Sequence, residues 1–272
     1  MRKTLKTALS VCIIGSLFPL TQVGLAQGEG LSGTITMSGS TTVLPLAEAL
    51  ADGFMDEYSN VAFEIEGGGS SAGIEECAGG DVDIGMSSRE LGSGDPDLVA
   101  HEIARDGVAA IVNEENPVDD LSIEELRDIF SGEITNWEEV GGEDWDIVVV
   151  SREEGSGTRD FFEEKVMEGE DITDDALEVD SNEELKDKVI DEEAAIGYVS
   201  VGYVEDVRGL ALDGVEPTLE NCQSGDYPLV RSLYFLHLPP EPSENKLIEA
   251  FMEFCLDDGQ AIVEDEGYIT IS

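Results

Sequence analysis

The stretch Thr34-Ile35-Thr36-Met37-Ser38-Gly39-Ser40-Thr41-Thr42-Val43-Leu44-Pro45 changes its period in mid-course. Thr34–Met37 alternates as a strand does, and the small residues Ser38–Thr42 make a turn. Beyond it Val43, Leu46, Ala47, Leu50 and Phe54 recur at helical spacing. Pro45 falls in the first helical turn, where a missing N–H costs nothing.

The same strand–turn–helix unit recurs along the chain. Val61–Ile65 reads as a strand and Gly67–Gly73 turns into a helix, while the strand Val82–Met86 ends in Ser87-Ser88-Arg89. Val108–Val112 is another apolar run. Further on, Ser122 and Glu125 form a capping box for a helix through Phe130, and Ser181 and Glu184 repeat it before Leu185–Ile190. Ile147–Val150 leads through Ser151–Thr158 into a helix carrying Phe161, Phe162 and Val166. Ala195–Val199 and Leu229–Leu236 are the remaining strands, and an amphipathic helix is expected from about Ser243 to Leu256. Such alternation predicts an α/β fold with mostly parallel sheets flanked by helices. Asn113–Pro117 and Glu205–Pro228 are the expected crossings between two lobes, 28–113 plus 226–272 and 114–225, with a ligand cleft between them.

Three of these turns share one chemistry: Ser38–Thr42, Gly67–Gly73 and Gly155–Thr158 each join a strand to a helix through Gly, Ser and Thr. A helix start offers unpaired N–H groups and about half a positive charge. Glycines let a ligand approach the backbone, and hydroxyls add donors. One such turn is an ordinary cap, whereas several converging would cradle a tetrahedral oxyanion with few basic residues. Arg152, beside the third turn, supplies a bidentate charged contact. Arg89 is expected either in the site or in a surface ion pair with Glu90 or Asp83.

Charge bounds the rest. The formal net charge is −48, from 62 acidic and 14 basic residues. Arg2, Lys3 and Lys6, the apolar run Leu9–Leu17, and the small residues Gly24 and Ala26 read as an export leader over 1–26. Its removal leaves 11 basic residues against 62 acidic ones, a formal −51. Self-repulsion on that scale opposes compaction unless salt screens it, and in about 1 M salt the Debye length falls to about 3 Å. An exported halophilic protein is the expectation, and the lack of a basic patch argues against nucleic acid. Cys77, Cys222 and Cys255 remain after the leader, either with one disulfide (Cys222–Cys255 the candidate pair) or as three buried thiols. Neither a metal-ligand spacing nor a Ca²⁺ loop is present, so no metal or other cofactor is expected. Gly69-x-Ser71-x-Gly73 also matches a nucleophile elbow, which leaves a secreted serine hydrolase with Ser71 as nucleophile as the alternative from another class. That enzyme would need His101 or His237 as its base.

Taken together, Gly39–Pro45, Gly69-Ser70-Ser71-Ala72-Gly73-Ile74, Val82–Arg89, Ile129–Trp137 and Arg152-Glu153-Glu154-Gly155-Ser156-Gly157-Thr158 resemble the phosphate-binding proteins of ABC-type phosphate importers, in their compact form. The resemblance spans nearly all of the chain after the leader. It implies a type II periplasmic-binding-protein fold, a monomer without catalytic residues or cofactor, and delivery of inorganic phosphate to a membrane permease. Sulfate, arsenate, molybdate and tungstate are the alternative ligands. Carried over, the ligand-binding residues are Ser40, Thr41, Thr42, Ser70 and Ser88 from one lobe, and Arg152, Ser156, Gly157 and Thr158 from the other. Ser88 stands where the family has an aspartate that accepts the phosphate proton.

Overall fold

Alternation buries Ile35 and Met37 on one side of β1 (Gly33–Gly39), the strand that the sequence announces first. The computed structural model describes residues 30–239 and 246–271, so the expected leader and the expected start of the last long helix lie outside the described residues. From Leu31 onward the chain is one compact unit.

After β1 come α1 (Leu44–Glu57), β2 (Val61–Gly67), α2 (Ser70–Gly79), β3 (Ile84–Ser87) and β4 (Val99–Val112). Next are β5 (Asp120–Leu121), α3 (Ile123–Ser131), β6 (Val148–Arg152), α4 (Gly157–Phe162), β7 (Leu177–Val179), α5 (Asn182–Asp191) and β8 (Ala195–Ser200). The chain closes with β9 (Arg208–Gly209), β10 (Ala211–Leu212), α6 (Leu219–Ser224), β11 (Val230–His237), α7 (Lys246–Leu256) and α8 (Gln260–Asp265). One sheet runs in the order β2-β1-β3-β11-β4-β8-β6-β7, with β9 also on β4. Its flanks are parallel, β2-β1-β3 on one side and β8-β6-β7 on the other. In the middle β11 and β4 run antiparallel to their neighbours, which makes the whole sheet mixed. β4 is far longer than its apolar end Val108–Val112, because its first half carries His101, Glu102, Arg105 and Asp106 among buried Ile103 and Ala104.

Apolar clusters hold the two flanks. Phe54, Phe235, Phe251, Ile35 and Met37 pack under β1–β3, while Trp137, Phe130, Phe162 and Tyr198 pack under β6 and β8. Each such side chain contributes roughly 1.5–3 kcal/mol by leaving water. Trp137 also donates its indole N–H to Ala194 O at 2.9 Å, so its one polar atom is not stranded in that core. Cys222 and Cys255 sit in different clusters, and all three described cysteines are free, buried thiols; the candidate disulfide is not formed. The capping box of α3 is complete in both directions. At α5 only half of it forms, since Glu184 reaches back to Asp180 N–H instead of Ser181.

Candidate functional site

Strand ends place the turns. Gly39 closes β1 with φ +134°, and a Cβ there would lie 2.3 Å from Met86 O and 3.1 Å from Gly73 Cα. Only glycine permits that approach, which brings the starts of α1 and α2 together. Ser40 N–H bonds Met86 O at 2.9 Å, and Ser40 Oγ accepts Thr42 N–H at 3.2 Å. Ser70 Oγ accepts Ser88 N–H at 3.1 Å and lies 3.3 Å from Ser88 Oγ.

The third turn meets the first two. Ser71 N–H donates to Gly155 O at 3.1 Å, and Thr42 Oγ1 lies 3.2 Å from Thr158 Oγ1. A Cβ on Gly157 would fall 2.3 Å from Ser70 Oγ and 2.8 Å from Ser88 Oγ. Ser156 caps α4 by accepting Arg159 N–H. Ser40, Thr42, Ser70, Ser88, Gly157, Ser156 and Thr158 are thus gathered and buried, and Thr41 sits at their edge, partly exposed.

Arg152 is only 1 % exposed, and its guanidinium reaches two carbonyls, Val179 O at 3.4 Å and Asp180 O at 2.6 Å. Every other described arginine has a carboxylate partner; Arg152 has none among the described residues. Burial pushes its pKa down, and the field of Arg231 adds to that shift. A guanidinium stays charged regardless, so this is a buried cation in want of an anion.

Sequence reasoning missed three participants. Arg231, on β11, donates to Thr158 Oγ1 at 2.9 Å and Thr42 Oγ1 at 3.1 Å while Asp106 Oδ2 holds it at 3.0 Å. Asp106 also accepts from Ser200 Oγ at 2.7 Å; desolvation raises its pKa and Arg231 opposes that shift. Asn182, the first residue of α5, donates to Thr42 Oγ1 at 2.9 Å and Thr41 Oγ1 at 3.4 Å. A charged residue inside the apolar run Leu229–Leu236 was the available signal for Arg231, because a buried strand tolerates such a group only when it is paired.

Arg89 makes neither expected pair. It binds Asp95 at 2.6 Å and Asp160 of α4 at 2.8 Å, and so it ties the loop after β3 to α4. The two histidines of the chain face each other, Nε2 to Nε2 at 3.0 Å, across β4 and β11. The hydroxyl of Ser71 is instead approached by Arg89 Nη2 at 3.5 Å, and among the described residues no histidine hydrogen-bonds it. Hydroxyls from all three turns and the Arg231 guanidinium meet here, an arrangement that suits a compact oxyanion.

Comparison with known proteins gives a consistent picture. A family profile described as a PBP superfamily domain matches residues 25–258. Phosphate-binding protein PstS of Bacillus subtilis is 35% identical over 256 residues, covering 91% of this chain and 84% of its own length. A protein of Clostridium perfringens crystallised with bound phosphate, and described as a phosphate ABC transporter substrate-binding protein, is 41% identical. It superposes with a TM-score of 0.83 over 88% of this chain and 100% of its own. An ABC-type phosphate transport receptor of Vibrio cholerae, 34% identical, gives 0.73 over 87% of this chain and 99% of its own.

Proposed function

The chain belongs to the PBP superfamily, in its family of phosphate-binding proteins, and from that premise we propose that it captures inorganic phosphate outside the membrane for an ABC importer. The observation that carries the reading is Arg152, a guanidinium 1 % exposed and without a carboxylate partner among the described residues, at the end of the strand that leads into α4. An anion seated there removes the cost of an isolated buried charge. Ser40, Thr41, Thr42, Ser70 and Ser88 bind from the lobe formed by 28–113 plus 226–272. Arg152, Ser156, Gly157 and Thr158 bind from the lobe formed by 114–225. The contacts Ser71–Gly155 and Thr42–Thr158 are then closure contacts between lobes.

Nothing is made or broken in this cycle; the protein works as a monomer, without cofactor, and passes the anion to the permease. Export follows from the leader-like residues 1–26, and among the described residues no helix is long and apolar enough to cross a membrane. Calorimetric titration with phosphate, sulfate, arsenate and molybdate in molar KCl tests the reading. It predicts one phosphate per chain and no ester turnover. Labelling of Ser71 by a fluorophosphonate, with no phosphate uptake, would move the protein to the hydrolases.

A further inference from the structure

Hydrogen-bond accounting at Thr42 exposes an asymmetry in the cradle. A hydroxyl oxygen has two lone pairs and one proton. Both lone pairs of Thr42 Oγ1 are taken, by Asn182 Nδ2 at 2.9 Å and Arg231 Nη2 at 3.1 Å. Its proton must therefore be given away, to Thr158 or to a ligand. Arg152, Arg231 and the backbone N–H groups of the helix starts can only donate. Asp106, the carboxylate behind Arg231, is already engaged by Arg231 Nε, Arg231 Nη2 and Ser200 Oγ. Ser70 and Ser88 can give or take, and they contact each other.

One acceptor at the cradle is left without a donor among the described residues. Asn182 is fully buried, and its carbonyl Oδ1 has no hydrogen-bond partner among the described residues. It belongs to the same amide whose nitrogen touches the Thr41 and Thr42 hydroxyls, so it lies one amide's width from the turn that precedes α1. A buried carbonyl left unpaired is destabilising, and a ligand that brings a proton to it offsets that cost. Phosphate keeps a proton near neutral pH, whereas sulfate is fully ionised. A sulfate oxygen set against Oδ1 would oppose two acceptors with no hydrogen between them.

We propose that Asn182 Oδ1 receives the proton of bound phosphate and is the group that separates protonated tetrahedral anions from fully ionised ones. The proposal rests on the phosphate reading above. It also explains how a cradle with Ser88, not a carboxylate, at the end of β3 distinguishes its ligands.

The test is calorimetric titration of the whole chain and of Asn182→Leu with phosphate and sulfate in molar KCl, with circular dichroism to verify folding. Wild type should favour phosphate by about 100-fold or more, and Asn182→Leu should shrink that ratio at least about tenfold. A parallel fall for both anions, with the ratio preserved, would reduce Asn182 to a brace for Thr42 and overturn the proposal. Wild-type protein also answers without any variant. Arsenate, protonated like phosphate, should bind, and selenate, ionised like sulfate, should be refused; equal binding of the two overturns the proposal if the leucine variant does not fold. Failure of wild type to bind any of the four anions would instead remove the phosphate reading itself, an outcome distinct from phosphate binding without selectivity.

Discussion

Arg152 and Arg231 are both buried guanidiniums, and they differ in what neutralises them. Arg231 carries its own carboxylate, Asp106, with both side chains at most 3 % exposed. Arg152 has only carbonyls. Their substitutions should therefore fail differently. Arg152→Ala should keep the fold and lose about 2–5 kcal/mol of phosphate affinity by calorimetry, as when one partner of a buried charge pair is removed. Arg231→Met leaves Asp106 buried without its cation, so it should cost roughly 3–5 kcal/mol of stability in urea titration, much of it recovered by adding Asp106→Leu. Equal losses of affinity with no change in stability would mean that the two roles have been confused. His101 gives a pH signature. Desolvation, then the neighbouring His237, pushes its pKa below the ordinary 6.5. A depressed folded pKa contributes stability that is present above the unfolded value and lost as pH falls through the folded one. Melting temperature should drop between about pH 7 and 5 and drop less in His101→Gln; parallel curves would exclude His101 as the source.

Among the elements, the helix starts were legible and their meeting was not. Gly, Ser and Thr between a strand pattern and a helix pattern declare a turn locally, and Arg152 stands out in the sequence because it adjoins one. Ser181 was read as a cap for α5, but that Asn182 reaches Thr42 depends on the parallel register of β6 with β7 and β8, which no local spacing encodes. The polar half of β4 was missed for the same reason: Asp106 makes sense in a strand only once Arg231 faces it from β11. The antiparallel centre of the sheet is likewise a matter of long-range pairing, since strands far apart in the chain leave similar patterns whichever way they run. Gly157 tests the junction of the turns. Gly157→Ala places a methyl within 2.3 Å of Ser70 Oγ at the start of α4, so α2 and α4 can no longer meet. Phosphate affinity should fall by about 2 kcal/mol or more while the melting temperature of the unliganded protein changes little. Unchanged affinity would show that the two helix starts do not approach each other around the ligand.

At the scale of the whole molecule, a formal charge of −48 governs both folding and binding. Repulsion among surface carboxylates opposes the compact state, and molar salt shortens its reach to about 3 Å. Circular dichroism should show a cooperative fold in molar KCl that is lost on dialysis to a few millimolar, and a melting temperature indifferent to that change would refute the halophilic reading. Long-range attraction cannot bring an anion to such a surface. What holds it must be short-range: N–H groups at the helix starts, the buried hydroxyls, and Arg152 out of reach of screening ions. The most direct test is a series of phosphate titrations by calorimetry at several KCl concentrations, all above the folding threshold. The account predicts one site per chain with an affinity that stays level or rises as salt mutes surface repulsion. A steep fall in affinity with rising KCl would show that exposed positive charge binds the anion, and would contradict it.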